Sequence, residues 1–301
     1  MDFFERLNRT SEGTQGFACV PLDKFTTLRV GGPADYFAEP RTEEELLLLI
    51  QEAKAARMPV LLLGNGSNLL VRDGGFRGLA IRLGKAFSAI ERQGSCLYAQ
   101  AGALLSTLAR QAQEASLTGL EFAQGIPGSV GGGVYMNAGA YGGELGQTVE
   151  FVRVLAGDAV RDIPGSDMRF SYRHTHAMDE QWIILGAQFH LTSGDPKEIE
   201  AAMRDYAARR KDKQPLEYPS AGSFFKRPAG HFAGALIEDA GLKGMTVGGA
   251  QVSVKHAGFL INRGGATASD FLALMRLVQE RVMDKYGVML EPEVRIVGED
   301  A

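Results

Sequence analysis

Two glycine-rich stretches constrain this chain more than any other feature. The first, Gly64-Asn65-Gly66-Ser67-Asn68, directly follows the apolar run Val60-Leu61-Leu62-Leu63. The second, Gly125-Ile126-Pro127-Gly128-Ser129-Val130-Gly131-Gly132-Gly133, leads into Asn137-Ala138-Gly139-Ala140-Tyr141-Gly142. Glycine lets a backbone approach a ligand closely and reach positive φ. Successive N–H groups in such turns form concave anion sites. With five glycines and a proline in nine residues, the second stretch is expected to be neither a regular helix nor a strand interior. Two such loops imply a long phosphorylated ligand, a dinucleotide.

The known dinucleotide and phosphate fingerprints do not fit. Leu69 stands where a Rossmann loop needs its third glycine, and Asn68-Leu69-Leu70-Val71 opens no helix. No glycine loop ends in Gly-Lys-Ser/Thr, so a triphosphatase loop is excluded.

The 301 residues exceed one compact core, so two or three domains are expected. Net charge is −4 with both signs scattered, which argues against a nucleic-acid partner. The longest apolar runs, such as Leu46 to Ile50, are far too short to insert in a membrane. Met1-Asp2-Phe3-Phe4-Glu5-Arg6 carries early acids and no apolar region, so no export signal is read and a cytoplasmic protein is expected. Cys19 and Cys96 fit no metal or redox spacing and read as small buried hydrophobes. His174 and His176 alternate as on a strand without an accompanying Cys or acidic cluster, so no metal is expected.

Helix and strand signals alternate through the first half. Thr42-x-x-Glu45 is a capping box opening a helix to about Arg57. Strands are expected at 60–63, 79–83, 97–101, 151–156, 159–163 and 183–190, and a helix at 104–116. Asp195-Pro196 starts a helix running to about Lys211, with Asp as N-cap and Pro at N1. A late helix runs from Thr267 to about Tyr286, closed by Gly287. The natural boundary lies near Gly194, dividing 1–194 from 195–301.

Three places outside the loops hold polar residues that packing does not demand. Arg173, in Phe170-Ser171-Tyr172-Arg173, reads by itself as a surface or ion-paired arginine. Ser223, in Ala221-Gly222-Ser223-Phe224-Phe225-Lys226, reads equally as a turn serine or a functional hydroxyl. No Gly-x-Ser-x-Gly elbow marks a serine hydrolase. The segment Val288 to Val297 reads as a strand with Val288, Leu290, Val294 and Ile296 on one face and Glu291, Glu293 and Arg295 on the other. That polar face suits a solvated edge or a site.

Taken in order, these blocks resemble the UDP-N-acetylenolpyruvoylglucosamine reductases, FAD enzymes of bacterial peptidoglycan synthesis. The resemblance rests on Thr27-Leu28-Arg29-Val30-Gly31-Gly32, both glycine loops, Ser171-Tyr172-Arg173, Gln214-Pro215, Ala221 to Pro228, Lys255-His256-Ala257-Gly258-Phe259 and Leu290-Glu291-Pro292-Glu293-Val294-Arg295. It spans nearly the whole chain. It implies an α+β protein: an FAD-binding domain of the vanillyl-alcohol-oxidase (PCMH) type, with two α+β subdomains, and a smaller α+β domain for the UDP-sugar.

It also implies roles. Noncovalent FAD would be held by Arg29, Gly64, Asn65, Gly66, Ser67, Asn68, Leu69, Gly125, Ile126, Pro127, Gly128, Ser129, Gly131, Gly132, Asn137, Ala138 and Gly139. NADPH would be the reductant, and hydride would pass through the flavin to C3 of the enolpyruvyl ether. Charge then moves onto the substrate carboxylate, where Arg173 and Glu293 would stand, Glu293 favoured as the neutral acid. Ser223 would donate the proton at C2. Lys211, Lys226, Arg227, Gln251 and His256 would bind substrate. Arg173 and Ser223 are 223 − 173 = 50 positions apart, so the chain resembles the shorter subclass lacking an inserted tyrosine loop. A monomer is expected. Two rival readings are a flavin-dependent sugar or alcohol oxidase of the same superfamily, distinguished by rapid reoxidation in oxygen, and a non-catalytic flavin-bound or nucleotide-sugar-binding module.

Overall fold

The computed structural model describes residues 16–301. The Met1–Arg6 stretch, read above for an export signal, lies outside the described residues. The chain divides into two compact units, and the division is not a single cut. Unit 1 holds 16–17, 36–65 and 79–209, and unit 2 holds 18–35, 66–78 and 210–301. Contacts thus divide the chain at 17/18, 35/36, 65/66, 78/79 and 209/210, a different division from the one boundary read near Gly194. Composition marks where a local element starts, not which distant segments share a core.

In unit 1, helix α1 is Glu43–Ala55, with Thr42 Oγ1 accepting the Glu45 N–H at 3.2 Å. The reciprocal arm of the box goes one residue further back, since the Arg41 N–H donates to Glu45 Oε2. Leu46, Leu49 and Ala53 are buried, one helical face packed on Leu79 and Ile81. Strand Val60–Leu63 runs parallel to the 79–82 part of strand Phe76–Arg82. The larger sheet has five strands in the order Ala159–Pro164, Val149–Ala156, Ile183–His190, Cys96–Gln100, Ile90–Gln93, and its pairings are antiparallel. Helix α2, Leu105–Glu114, packs in the same core as this sheet.

The second glycine stretch departs from expectation. From Val130 it is helical: helix α3 is Val130–Tyr135, with Gly131, Gly132 and Gly133 inside it. Each glycine costs roughly 1 kcal/mol of helix propensity. Packing overrides that here. A Cβ on Gly131 would stand 2.8 Å from Ala101 Cβ, and one on Gly133 2.8 Å from Leu105 Cδ1.

The two histidines read as strand-like instead lie at the end of the Ser171–His174 turn and the start of a helix. His176 opens the single-turn helix α4, His176–Asp179, and both His174 Nε2 and His176 Nδ1 face Asp179, at 3.0 and 3.6 Å. The reading of buried cysteines also fails: Cys19 is exposed and Cys96 partly so, and both are free thiols. Helix α5, Pro196–Lys213, starts as expected, with the Lys197 N–H donating to Asp195 Oδ1 at 2.8 Å, and runs one half-turn past the expected end.

Unit 2 is built on a four-stranded antiparallel sheet, Ser220–Ser223, Phe259–Asn262, Ala250–Val252 and Thr246–Val247 in that order. Helices α6, Ala233–Asp239, and α7, Ala268–Tyr286, share its core. Thr267 and Asp270 form a reciprocal capping box on α7, and Asp73 accepts from the Ala268 and Ser269 N–H groups at 2.8 Å each. Burial raises the Asp73 pKa, but those bonds and one from the Ser269 hydroxyl outweigh it, so the carboxyl lies below its ordinary range. Gly287 closes α7 at φ 67°. The expected strand at 288–297 shrinks to Arg295–Val297, paired in parallel with Leu69–Val71. Pro292 interrupts it, holding only an isolated bridge to Phe225. Among the described residues, no helix is long and apolar enough to cross a membrane.

Candidate active site

Within unit 1 the two glycine stretches meet. Asn65 Nδ2 donates to the Pro127 carbonyl, and a Cβ on Gly64 would lie 2.2 Å from Ser129 Oγ. Ser129 precedes α3 and is 3% exposed, and its hydroxyl is buried with no hydrogen-bond partner. Such a group costs about 1–3 kcal/mol unless something satisfies it. The N–H groups of Val130 and Gly131 are already used, donating to Ala103 and Ala101 carbonyls at 2.8 Å each. A Cβ on Gly132 would meet only Ser129 Oγ, at 3.8 Å, so this side of α3 is open. Gly125 takes φ 100°, and the Gly128 carbonyl accepts the Leu105 N–H at 3.0 Å.

Beside Gly64 and Asn65 opens a cleft of about 340 Å³, whose polar lining is Arg82, Lys85, Ser88 and Thr107. Arg82 pairs with Glu39 at 3.2 Å. None of these four was singled out in the sequence. Two glycines on the cleft wall, Gly84 and Gly102, were the available signal, but they sit in different local elements.

Arg173 also belongs to unit 1. It occupies the left-handed region at φ 56°, which costs a non-glycine residue roughly 1–2 kcal/mol. The turn is tied down on both sides. Ser171 and His174 form a bridge, and fully buried Asn137 donates from Nδ2 to the Ser171 carbonyl at 3.0 Å while Oδ1 accepts the Gly146 N–H. Arg173 Nη2 donates to the Gly139 carbonyl at 3.3 Å, and the guanidinium lies 5.0 Å from the Tyr172 ring centre. Asn137 and Gly139 of the second loop region are thus partners of the arginine turn.

In unit 2, Ser223 and Glu293 are brought together across 70 residues of sequence (293 − 223 = 70). Gly222 at φ 75° and a register shift in the pairing with Phe259–Asn262 turn Ser223 to an exposed position. The next residue, Phe224, accepts the Glu293 N–H at 2.9 Å, and Lys226 donates its N–H to the Glu291 carbonyl. Asn68 of the first loop holds the same segment: its Nδ2 donates to the Glu293 carbonyl, and its own carbonyl accepts the Arg295 N–H, both at 3.0 Å. Gly66, at φ 59°, accepts the Thr27 N–H, while Arg29 sits exposed at φ 56° and Leu69 is buried. Ser67 is partly exposed. The first loop is split between the units after Asn65.

The five expected substrate-binding residues all lie in unit 2. Lys226 pairs with Glu291. Arg227 is exposed, with its guanidinium 4.6 Å from the Phe232 ring centre, and Lys211 is exposed with its carbonyl bonded by Lys255 Nζ. Gln251 donates to Thr246 Oγ1 at 3.1 Å, and its carbonyl oxygen is buried without a partner. His256 Nδ1 accepts the Gly258 N–H, and burial pushes the ring's pKa below its ordinary value, so it is neutral at pH 7.

The comparisons decide the family. Residues 214–297 match the UDP-N-acetylenolpyruvoylglucosamine reductase C-terminal domain, and 34–160 match an FAD binding domain. A protein of Agathobacter rectalis named UDP-N-acetylenolpyruvoylglucosamine reductase is 52% identical over 93% of both chains. One of the same name from Lactococcus lactis is 51% identical over 93% of both. The chain belongs to the UDP-N-acetylenolpyruvoylglucosamine reductase family. It is accordingly an oxidoreductase with FAD as cofactor and NADPH as reductant. The crystal structure of the Thermus caldophilus reductase superposes with TM-score 0.82 at 37% identity, covering 95% of this chain and 99% of that one. A Physcomitrella patens protein titled BBE-like 1, at TM-score 0.50 and 15% identity over 64% of this chain, shares the fold alone. The family removes the oxidase and non-catalytic readings.

The residues present fit a flavin nucleotide. The unsatisfied Ser129 hydroxyl, the side of α3 left open at Gly132 and the basic and hydroxyl lining of the adjoining cleft are features a diphosphate and ribityl chain would complete.

Proposed function

We propose that this chain reduces UDP-N-acetylglucosamine enolpyruvate to UDP-N-acetylmuramate, in peptidoglycan precursor synthesis, with Arg173, Ser223 and Glu293 as catalytic residues. The observation that carries this reading is the Glu293 N–H bonded to the carbonyl after Ser223, which seats a carboxyl and a hydroxyl on neighbouring segments. Bound FAD, held noncovalently, supplies hydride transfer from NADPH to C3 of the enolpyruvyl ether.

The chain's own residues do the rest. Negative charge develops on the substrate carboxylate as C3 accepts hydride, and the Arg173 guanidinium stabilises it there. Glu293 lies beside that carboxylate. Ser223 Oγ–H passes its proton to C2, completing the saturated ether. The Gly64–Leu69 and Gly125–Gly139 stretches with Arg29 hold the flavin nucleotide. The Arg82, Lys85, Ser88 and Thr107 cleft takes its phosphate-bearing end, supported by charge and by adjacency to Gly64. Lys211, Lys226, Arg227, Gln251 and His256 hold the UDP-sugar. As functional parts, residues 1–194 serve FAD binding and 195–301 the UDP-sugar, although 18–35 and 66–78 pack in the second compact unit. The protein acts as a cytoplasmic monomer, where NADPH and nucleotide sugars are available.

Stopped-flow absorbance tests the serine. In Ser223→Ala, flavin bleaching by NADPH proceeds at nearly the parent rate, because no proton goes to C2 in that half-reaction. Reoxidation by the enolpyruvyl substrate slows by about 10²–10⁴-fold, and Ser223→Cys recovers part of it. Equal slowing of both half-reactions makes the serine structural, and slowing of neither removes it as the donor.

A further inference from the structure

At one end of the unit 1 sheet, three neighbouring strands place a thiol, an imidazole and a carboxylate together. Cys96 opens its strand, His190 closes the next, and the two are direct cross-strand partners. Glu150 is the second residue of Val149–Ala156, at a register shift between Val149 and Phe151, and it is exposed. Cys96 Sγ lies 3.7 Å from His190 Nδ1 and 3.7 Å from Glu150 Oε2, and all three donor atoms fall within 4.8 Å of one another.

Those distances have a specific meaning. With Zn–S about 2.3 Å and Zn–N or Zn–O about 2.0–2.1 Å, a tetrahedral site has S···N and S···O edges of about 3.5–3.6 Å. Both observed edges lie within a few tenths of an ångström of that. The backbone beneath is fixed, with the His190 N–H on the Thr148 carbonyl at 2.8 Å and the Leu191 N–H on the Ser95 carbonyl at 3.0 Å. Gln188 Nε2 donates to Glu150 Oε2 at 2.7 Å, the kind of outer bond that orients a ligating carboxylate.

We propose that Cys96, Glu150 and His190 form a zinc site, with water in the fourth position. A thiolate with an imidazole selects against Mg²⁺ and Ca²⁺, which take oxygen ligands. On binding, the Cys96 thiol gives up its proton to solvent, sulfur supplies the electron pair to the metal, and no oxidation occurs. The site is separate from the flavin chemistry. Cys96 is at the far end of strand Cys96–Gln100 from Gly102, which lines the nucleotide cleft just past that strand, about 13 Å along the strand. Its role is to tie the ends of three strands, so its readout is stability rather than turnover. Burial and the Glu150 carboxylate push the metal-free thiol's pKa up, which makes Cys96 a poor nucleophile by itself.

The test uses the flavin-loaded enzyme after chelator treatment and dialysis. Zn²⁺ is titrated calorimetrically in two buffers of different protonation enthalpy, and melting is followed with and without Zn²⁺. The expected result is one Zn²⁺ per chain, proton release, and a raised Tm. Co²⁺ in place of Zn²⁺ gives a thiolate charge-transfer band. Cys96→Ser and His190→Ala each weaken binding at least tenfold and abolish that band. Gln188→Ala weakens binding about tenfold, and Cys19→Ser leaves it unchanged. Flavin absorbance confirms that each variant is folded. Absence of saturable binding to the parent overturns the proposal, as does undiminished binding in Cys96→Ser and His190→Ala.

Discussion

The turn that carries Arg173 and the turn that carries Ser223 solve the same problem in opposite ways. Both need a left-handed residue. At Ser223 the neighbour supplies it: Gly222 takes φ 75° with nothing within 4 Å of where its Cβ would be. At Arg173 the proposed catalytic residue is itself the bend, at φ 56°. A glycine there would remove the guanidinium, so the strain stays and is offset by Asn137, the Ser171–His174 bridge and the bond to the Gly139 carbonyl. The second solution needs a built environment, and fully buried Asn137 is its centre.

Arg173→Gly gives the largest expected effect and the sharpest contrast. Turnover falls by about 10²–10³-fold, the usual loss when a group aimed at developing charge is removed. Stability, measured by urea denaturation, stays level or rises by up to about 1 kcal/mol, because backbone strain is released. A clear loss of stability would show that the side chain holds the turn and would break the comparison. Arg173→Lys keeps the strain and the charge but not the planar fork, and is a poor substitute in steady-state kinetics.

Asn137→Ala comes next, on stability. It leaves the Ser171 carbonyl and the Gly146 N–H without their buried partner, an expected loss of about 2–3 kcal/mol. A loss well under 1 kcal/mol would mean the arginine turn stands unaided. Gly222→Ala is expected to cost about 1–2 kcal/mol, from conformation alone, since the space around it is open. Gly222→Asn costs less, because asparagine tolerates the left-handed region. If alanine there is neutral, the turn has relaxed and glycine is not the means of presenting Ser223.

The smallest effect is a pH slope. The folded His256 has a pKa below the ordinary 6.5, with burial the leading cause. The unfolded chain therefore binds more protons below that pH, so this contribution is complete above about pH 6.5 and is lost as pH falls. Denaturant midpoints at pH 5.5 and 7.5 should differ less in His256→Gln than in the parent. An unchanged difference would place the acid sensitivity elsewhere.

Much of the fold was legible because its signals are local. The strand Ile183–His190, the Thr42 and Asp195 caps and the Gly287 stop each follow from a few adjacent residues. The split of 66–78 from 36–65 was not legible, because it depends on which core each segment completes. Helix α3 was misread for a related reason: glycine content argues against a helix until Ala101 and Leu105 are seen to occupy the space its side chains would fill. Of the proposed site, the order of motifs points to Arg173, Ser223 and Glu293, whereas Arg82, Lys85, Ser88 and Thr107 carry no motif and appear only as walls of a cleft.

The sequence alone determined the family, the chemistry it implies and most helices and strands, since ordered motifs and short-range periodicity are written in neighbouring residues. Only the tertiary structure decided what depends on long-range approach. It set Glu293 against the residue after Ser223, closed Asn65 onto Pro127, and gathered Cys96, Glu150 and His190 at one strand end. Register and packing between distant segments set those juxtapositions, and no local pattern encodes them.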